Sequence, residues 1–171
     1  MSPDRDRETD RTYLLRALAL AAAGAARGEG GPFGALVVRV GAAERESPGE
    51  VVGEGCNRVV ACNDPTAHAE IVAIRDACRR LGRFHLEDCV LYASSEPCPM
   101  CLAAACWARV QRIVYANPRA VAAAVGFCDD DLYCELSLPP AERRVPLEHL
   151  ALPGADAPLR AWFADPARVR Y

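Results

Sequence analysis

Asp64-Pro65-Thr66-Ala67-His68-Ala69-Glu70 is the stretch on which the reading of this chain turns. It sets a metal-ligating imidazole and an acid/base carboxylate two residues apart. Asn63-Asp64-Pro65 breaks a strand there and launches a helix predicted to run to about Leu81. Its partner is Glu96-Pro97-Cys98-Pro99-Met100-Cys101, in which Cys98 follows His68 by 98 − 68 = 30 residues. One imidazole and two thiols are three ligands of the kind a catalytic zinc takes, with the fourth position left to water. Both ligand sets fall at predicted helix N-termini, where the dipole favours the thiolate form that metal binding requires.

Glu70 stands two residues from His68, and helical neighbours are three and four apart, so the two do not share a face. It suits a proton shuttle better than a ligand. A zinc-bound water has its pKa lowered toward about 7, and a carboxylate above it can take a proton from that water and give it to a ring nitrogen. The competing reading is a closed structural zinc site with Glu70 solvated. That reading lacks a fourth Cys or His at ligand spacing.

Around this pair the pattern is α/β. Tyr13, Leu14, Ala17, Leu18 and Ala21 recur at helical spacing within Arg11 to Arg27, after a charged stretch from Ser2 to Asp10 that is expected to fray. Phe33 to Val40 reads as an apolar strand, Gly41 to Glu50 as a polar loop, and Val51 to Val60 as a second, antiparallel strand. Cys89 to Ser94, Pro99 to Ala108 and Gln111 to Ala116 then read as strand, helix and parallel strand. The result is a sheet layered between helices. Beyond Arg119 the expectation is a short helix over Ala120 to Val125, a loop from Gly126 to Tyr133, and a tail chopped by prolines.

At 171 residues and 51% hydrophobic content the chain is expected to form a single domain. A net charge of −3 and a pI near 5.6 supply no global basic field, so nucleic acid is a disfavoured partner. The run Ala17 to Ala26 is too short and small-sided for a membrane span, and a cytoplasmic protein is expected. Nine cysteines without an export signal fit a reducing compartment. Cys98 and Cys101 alone have ligand spacing; the other seven are expected to be small buried hydrophobes.

His-x-Glu followed by Pro-Cys-x-x-Cys is the signature of zinc-dependent nucleobase deaminases. On these motifs the chain resembles the cytidine-deaminase-like superfamily, and more narrowly the bacterial guanine deaminases. The resemblance extends through Gly31-Pro32-Phe33-Gly34-Ala35, Cys106-Trp107-Ala108-Arg109 and Gly126-Phe127. It implies a three-layer α/β/α fold with a central mixed five-stranded sheet, one Zn²⁺ per chain on His68, Cys98 and Cys101, and hydrolysis of guanine to xanthine and ammonia. It further implies that Asn57 reads the purine edge and that Phe33, Ala69 and Trp107 line the substrate site. Asp129 would assist Glu70 in protonating the leaving amino group. The C-terminal segment would cross to the other subunit of a domain-swapped homodimer, with Tyr171 closing the neighbouring site.

Each role has a plainer alternative. Asn57 is also a turn residue, Phe33 and Trp107 are also core, and Asp129 to Asp131 also make a solvated loop. Guanosine, ammeline, tRNA adenosine or another amino-heterocycle stand beside guanine as substrates. A zinc-stabilised binding protein without catalysis is the alternative from outside the enzymes, and intact Glu70 argues against it.

Overall fold

Ala35, Leu36, Val37 and Val38 are all at 0% exposure, so the strand that carries them, β1 (Gly34–Arg39), is covered on both faces. Alternate side chains leave a strand on opposite sides. Leu36 and Val38 join Tyr13, Ala17, Val90 and Tyr92 in one cluster; Ala35 and Val37 join Ala69, Ala73, Ala77 and Leu91 in another. Two cores on one strand make three layers. The computed structural model describes residues 3–40 and 49–170, with side chains from Arg7 onward.

One face is covered by α1 (Pro3–Ala26) and the other by α3 (Ala69–Leu81). Their alanine content is a packing device. A Cβ on Gly34 would lie 2.2 Å from the Ala17 carbonyl oxygen, and one on Gly55 would lie 2.3 Å from that of Ala69. Both helices therefore run close enough to the sheet to demand glycine beneath them. None of the described helices is long and apolar enough to cross a membrane.

The sheet has the order β2-β1-β3-β4. β2 (Glu50–Cys56) and β3 (Cys89–Ser95) lie antiparallel to β1, and β4 (Arg112–Asn117) lies parallel to β3. α4 (Pro99–Trp107) connects β3 to β4. The layered mixed sheet matches the expectation, but among the described residues it has four strands and not five. Pro118 follows β4 directly and caps α5 (Arg119–Ala123), and the later apolar residues come in helical, proline-interrupted pieces.

Other boundaries also differ. α1 starts at Pro3 and not near Arg11. Asp10 holds that early part: it accepts the Tyr92 hydroxyl at 2.7 Å and both Arg112 Nη groups at 2.7 and 2.9 Å. β2 stops at Cys56, short of Val60, because residues Val59–Cys62 wind into the one-turn helix α2, closed by Asn63 in the left-handed region. Pro65 does not open α3. Asp64 Oδ1 accepts both the backbone N–H and the hydroxyl of Thr66, at 2.8 and 2.7 Å, and this turn delays the helix to Ala69. Residues 41–48 of the expected loop lie outside the described residues.

The contacts divide the chain into two compact units, Met1–Asp129 and Asp130–Tyr171. The second contains α6 (Asp130–Ser137), a 3₁₀ turn (Pro140–Glu142) and α7 (Ala157–Ala164). α6 occupies much of what reads as a loop in the sequence, because Leu132, Tyr133 and Leu136 fall at helical spacing behind two acidic residues in its first turn. Arg168 lies over the rings of Phe163 and Trp162, 4.9 and 5.7 Å from their centroids.

The cysteines outside the ligand pair are mostly not buried. Cys89 is buried and Cys56 and Cys78 are half-buried, while Cys62, Cys106, Cys128 and Cys134 are exposed. Cys62 and Cys106 sit on outward faces of helices, where small side chains are tolerated but nothing packs over them.

Candidate active site

His68 and Cys98 are both helix N-caps with nearly the same extended backbone, φ/ψ −65/154 and −63/167, ahead of α3 and α4. Pro99 at the first position of α4 fixes that start, and its missing N–H is one that would lack a helical acceptor anyway. Cys101, one turn along, is fully buried. The two helix starts thus bring three ligands together from two distant segments. His68 Nδ1 stands 3.5 Å from Cys98 Sγ and 3.6 Å from Cys101 Sγ, and the three ligand atoms lie within 4.8 Å of one another.

Zinc bound at about 2.3 Å to sulfur and about 2.05 Å to nitrogen in a tetrahedron puts S and N roughly 3.6 Å apart. The observed spacing fits. The protonation pattern fits as well. The Cys98 thiol is held down at about 4, first by the hydrogen bond from Cys101 and then by that from His68. Cys101 is pushed up by the same bond to Cys98 and by burial. His68 is raised above its ordinary value by its bond to Cys98. Three basic groups converge and share protons where a cation would take their place.

Glu70 is 8% exposed and sits in the first turn of α3. Burial raises its carboxyl above the usual range, and it is hydrogen-bonded to the Cys101 sulfur. It opens onto a cavity of about 320 Å³ that is also lined by His68, Cys98, Asn57, Phe33, Asp129, Glu96 and Phe127. Asp129 is near enough to act on the charge of His68. Part of the wall is aromatic: Phe33 and Phe127 meet edge to face with centroids 4.8 Å apart. Gly31 lies against both rings, since a Cβ there would meet each at 3.0 to 3.1 Å.

Asn57 is 6% exposed, and its Oδ1 is doubly used. It accepts the backbone N–H groups of Gly31 and Val59, each at 3.2 Å. The backbone N–H of Asn57 itself donates to the Phe33 carbonyl at 2.9 Å. With the amide oxygen so committed, the NH₂ end is the group that Asn57 has left to offer a ligand in the cavity it lines.

The structure therefore gathers His68, Cys98, Cys101, Glu70, Asn57, Phe33 and Asp129 in one place. Ala69, the first residue of α3, is fully buried in the core under the sheet, and Trp107 is 71% exposed on α4; neither lines this cavity. Tyr171 lies outside the described residues. Sequence reasoning missed Glu96 and Phe127 as lining residues. The signal for Phe127 is its place two residues before Asp129; Glu96 stands two residues before the ligand Cys98, with no pattern of its own.

The family model for the cytidine and deoxycytidylate deaminase zinc-binding region matches residues 7–117. Guanine deaminase of Bacillus subtilis is 46% identical over 151 residues, covering 88% of this chain and 92% of that protein. The X-ray structure of guanine deaminase from Bacillus subtilis superposes with a TM-score of 0.86 at 44% identity, covering 94% of this chain and 98% of that one. A tRNA-specific adenosine deaminase of Aquifex aeolicus is 40% identical over 84 residues, 49% of this chain and 50% of that protein. With His68, Cys98 and Cys101 placed to bind one zinc ion, the chain belongs to the zinc-dependent cytidine and deoxycytidylate deaminase family, in the branch that includes the guanine deaminase of Bacillus subtilis.

Proposed function

We propose that this chain hydrolyses guanine to xanthine and ammonia. The observation that carries the reading is the donor end of Asn57 in the same cavity as Glu70 and the zinc ligands. Guanine offers two acceptors, O6 and N7, along one edge, and C2 with its amino group lies on the opposite edge. A donor at Asn57 holds the acceptor edge and turns C2 toward His68, Cys98 and Glu70. Phe33 and Phe127, in contact with each other, give a flat ring an apolar wall to lie against.

His68, Cys98 and Cys101 would hold the zinc ion, which would supply the Lewis acidity that makes water nucleophilic near neutral pH. Glu70 takes a proton from the attacking water and delivers it to the adjacent ring nitrogen. The C2–O bond forms as that proton reaches the ring nitrogen, and the C2–N bond breaks only as the amino group gains its own proton. Glu70 then passes the remaining proton toward the departing amino group, with Asp129 completing the protonation that releases ammonia. The apolar walls exclude water and strengthen each of these interactions.

The second unit exposes Leu159 at 72%, Phe163 at 69% and Leu150 at 79%. Apolar area of this extent is covered in a stable assembly, and the occupant proposed is a second copy of this chain in a domain-swapped homodimer whose Tyr171 closes the partner's site. A chain carrying Glu70→Gln mixed with a chain lacking residues 168–171 then regains activity, because one hybrid site has both a working core and a lid. Subunits that exchange without recovery would place the tail on its own chain. The protein is proposed to work in the cytoplasm on a free base.

A panel of guanine, guanosine, ammeline, adenine and a tRNA anticodon stem-loop, scored by ammonia release, tests the substrate. Guanine is expected to lead in kcat/KM. A stem-loop that outruns guanine would move the chain to the tRNA adenosine deaminases.

A further inference from the structure

The carboxylate of Glu96 is neither a zinc ligand nor a reacting group, yet it lines their cavity. Its Oε2 accepts the backbone N–H of Arg119 at 2.9 Å. Arg119 opens α5, and the first N–H groups of a helix have no acceptor within it. At the other end of α5 the backbone closes on itself. The Gly126 N–H donates to the Ala123 carbonyl and the Phe127 N–H to that of Ala122, both at 3.0 Å, with Gly126 at φ 98°. This is the helix ending in which a positive-φ glycine turns the chain.

Residues 119–127 are therefore one hydrogen-bonded piece, and Asp129 lies just beyond it. α5 contains no buried residue, so the piece is tied to the cavity at its far end by the Phe127 ring against Phe33 and at its start by the bond to Glu96. Glu96 itself is well anchored: its N–H donates to the Asn117 carbonyl at 2.8 Å, and Asn117 Nδ2 donates to the Ser94 carbonyl at 2.9 Å.

We propose that Glu96 is a positioning residue for deamination: by holding the start of α5 it sets the cavity wall formed by Ala122, Phe127 and Asp129. The inference rests on the guanine reading for its kinetic consequence. A wall that drifts holds the base less well, so binding suffers more than the chemical step. The amide oxygen of a glutamine can still accept the Arg119 N–H, which separates positioning from a need for negative charge.

The test uses the full-length zinc-loaded protein. Glu96→Ala is expected to raise KM for guanine about tenfold, the worth of one charge-assisted hydrogen bond, with zinc retained and kcat changed less than KM. Glu96→Gln is expected to recover most of that loss. From the other side, Arg119→Pro removes the donated N–H at a first-turn position where proline is tolerated. It should reproduce the effect of Glu96→Ala, while Arg119→Ala should not. Amide exchange over residues 120–127 should quicken in Glu96→Ala and Arg119→Pro alone, a readout that needs no substrate. If wild type fails on guanine, the functional reading falls and the exchange result still decides on Glu96. Glu96→Gln as impaired as Glu96→Ala, or Arg119→Pro with unchanged KM and exchange, would overturn the proposal.

Discussion

Asn57→Asp inverts one hydrogen-bonding group without changing its shape. In the native protein Oδ1 accepts from Gly31 and Val59 at 3.2 Å each, and an aspartate keeps both bonds. The side facing the cavity changes from a donor to an acceptor. Guanine presents O6 and N7 there, so a favourable bond worth about 1.5 kcal/mol is lost and a repulsion of similar size replaces it. The sum, about 3 kcal/mol, corresponds to roughly a 150-fold fall in kcat/KM. The fold should be retained, because the buried backbone donors keep their acceptor, at a stability cost of about 1 to 3 kcal/mol for a carboxylate at a site 6% exposed. Steady-state kinetics on guanine, with a thermal melt and zinc analysis on the same preparation, reads all three quantities. A variant that is folded, zinc-loaded and within threefold of wild type would refute the assignment of the NH₂ end to the substrate.

Glu70→Gln preserves volume at a site only 8% exposed but cannot relay protons; kcat is expected to fall about 10³-fold with zinc content unchanged, and near-normal turnover would remove Glu70 from the mechanism. Cys98→Ala takes away a ligand held 3.5 Å from His68 Nδ1. It should weaken zinc by more than the roughly 100-fold that loss of an outer-shell bond costs, lowering stability with it, as chelator titration and melting would record. The Glu29 carboxyl is held down at about 2 by the Arg27 guanidinium and the Cys56 thiol. A depressed carboxylate contributes stability above its unfolded value of 4.5, lost as pH falls toward 2. Urea midpoints of wild type and Glu29→Gln should accordingly differ at neutral pH and close on each other as pH falls from 4.5 toward 2; a gap that persists near pH 2 would mean the effect is not that of the charge.

What the sequence made legible follows from how local each signal is. β1 is a continuous apolar run because both faces are buried, and no polar alternation obscures it. His68, Cys98 and Cys101 were readable because ligand chemistry restricts residue type and spacing so tightly. The start of α3 was misplaced because Asp64 and Thr66 form a side-chain turn that competes with the first helical bonds. The ordered beginning of α1 depends on Asp10 meeting Tyr92 and Arg112, up to 102 residues away, which no local pattern contains. The role of Glu96 is hidden for the same reason, since its partner is a backbone N–H with no sequence signature. Exposure of Cys62, Cys106, Cys128 and Cys134 is illegible because cysteine's residue type alone does not say whether a helix face or a connection carries it.

The central claim is hydrolysis of guanine at the site shared by His68, Cys98, Cys101 and Glu70, and isotope tracing tests it most directly. Zinc-loaded protein incubated with guanine in H₂¹⁸O should yield xanthine carrying one ¹⁸O at C2 and one ammonia per xanthine. The activity should vanish on chelation and return with zinc. Xanthine formed without solvent oxygen, or undiminished by removal of the metal, would contradict the account, as would a zinc-loaded enzyme that leaves guanine intact.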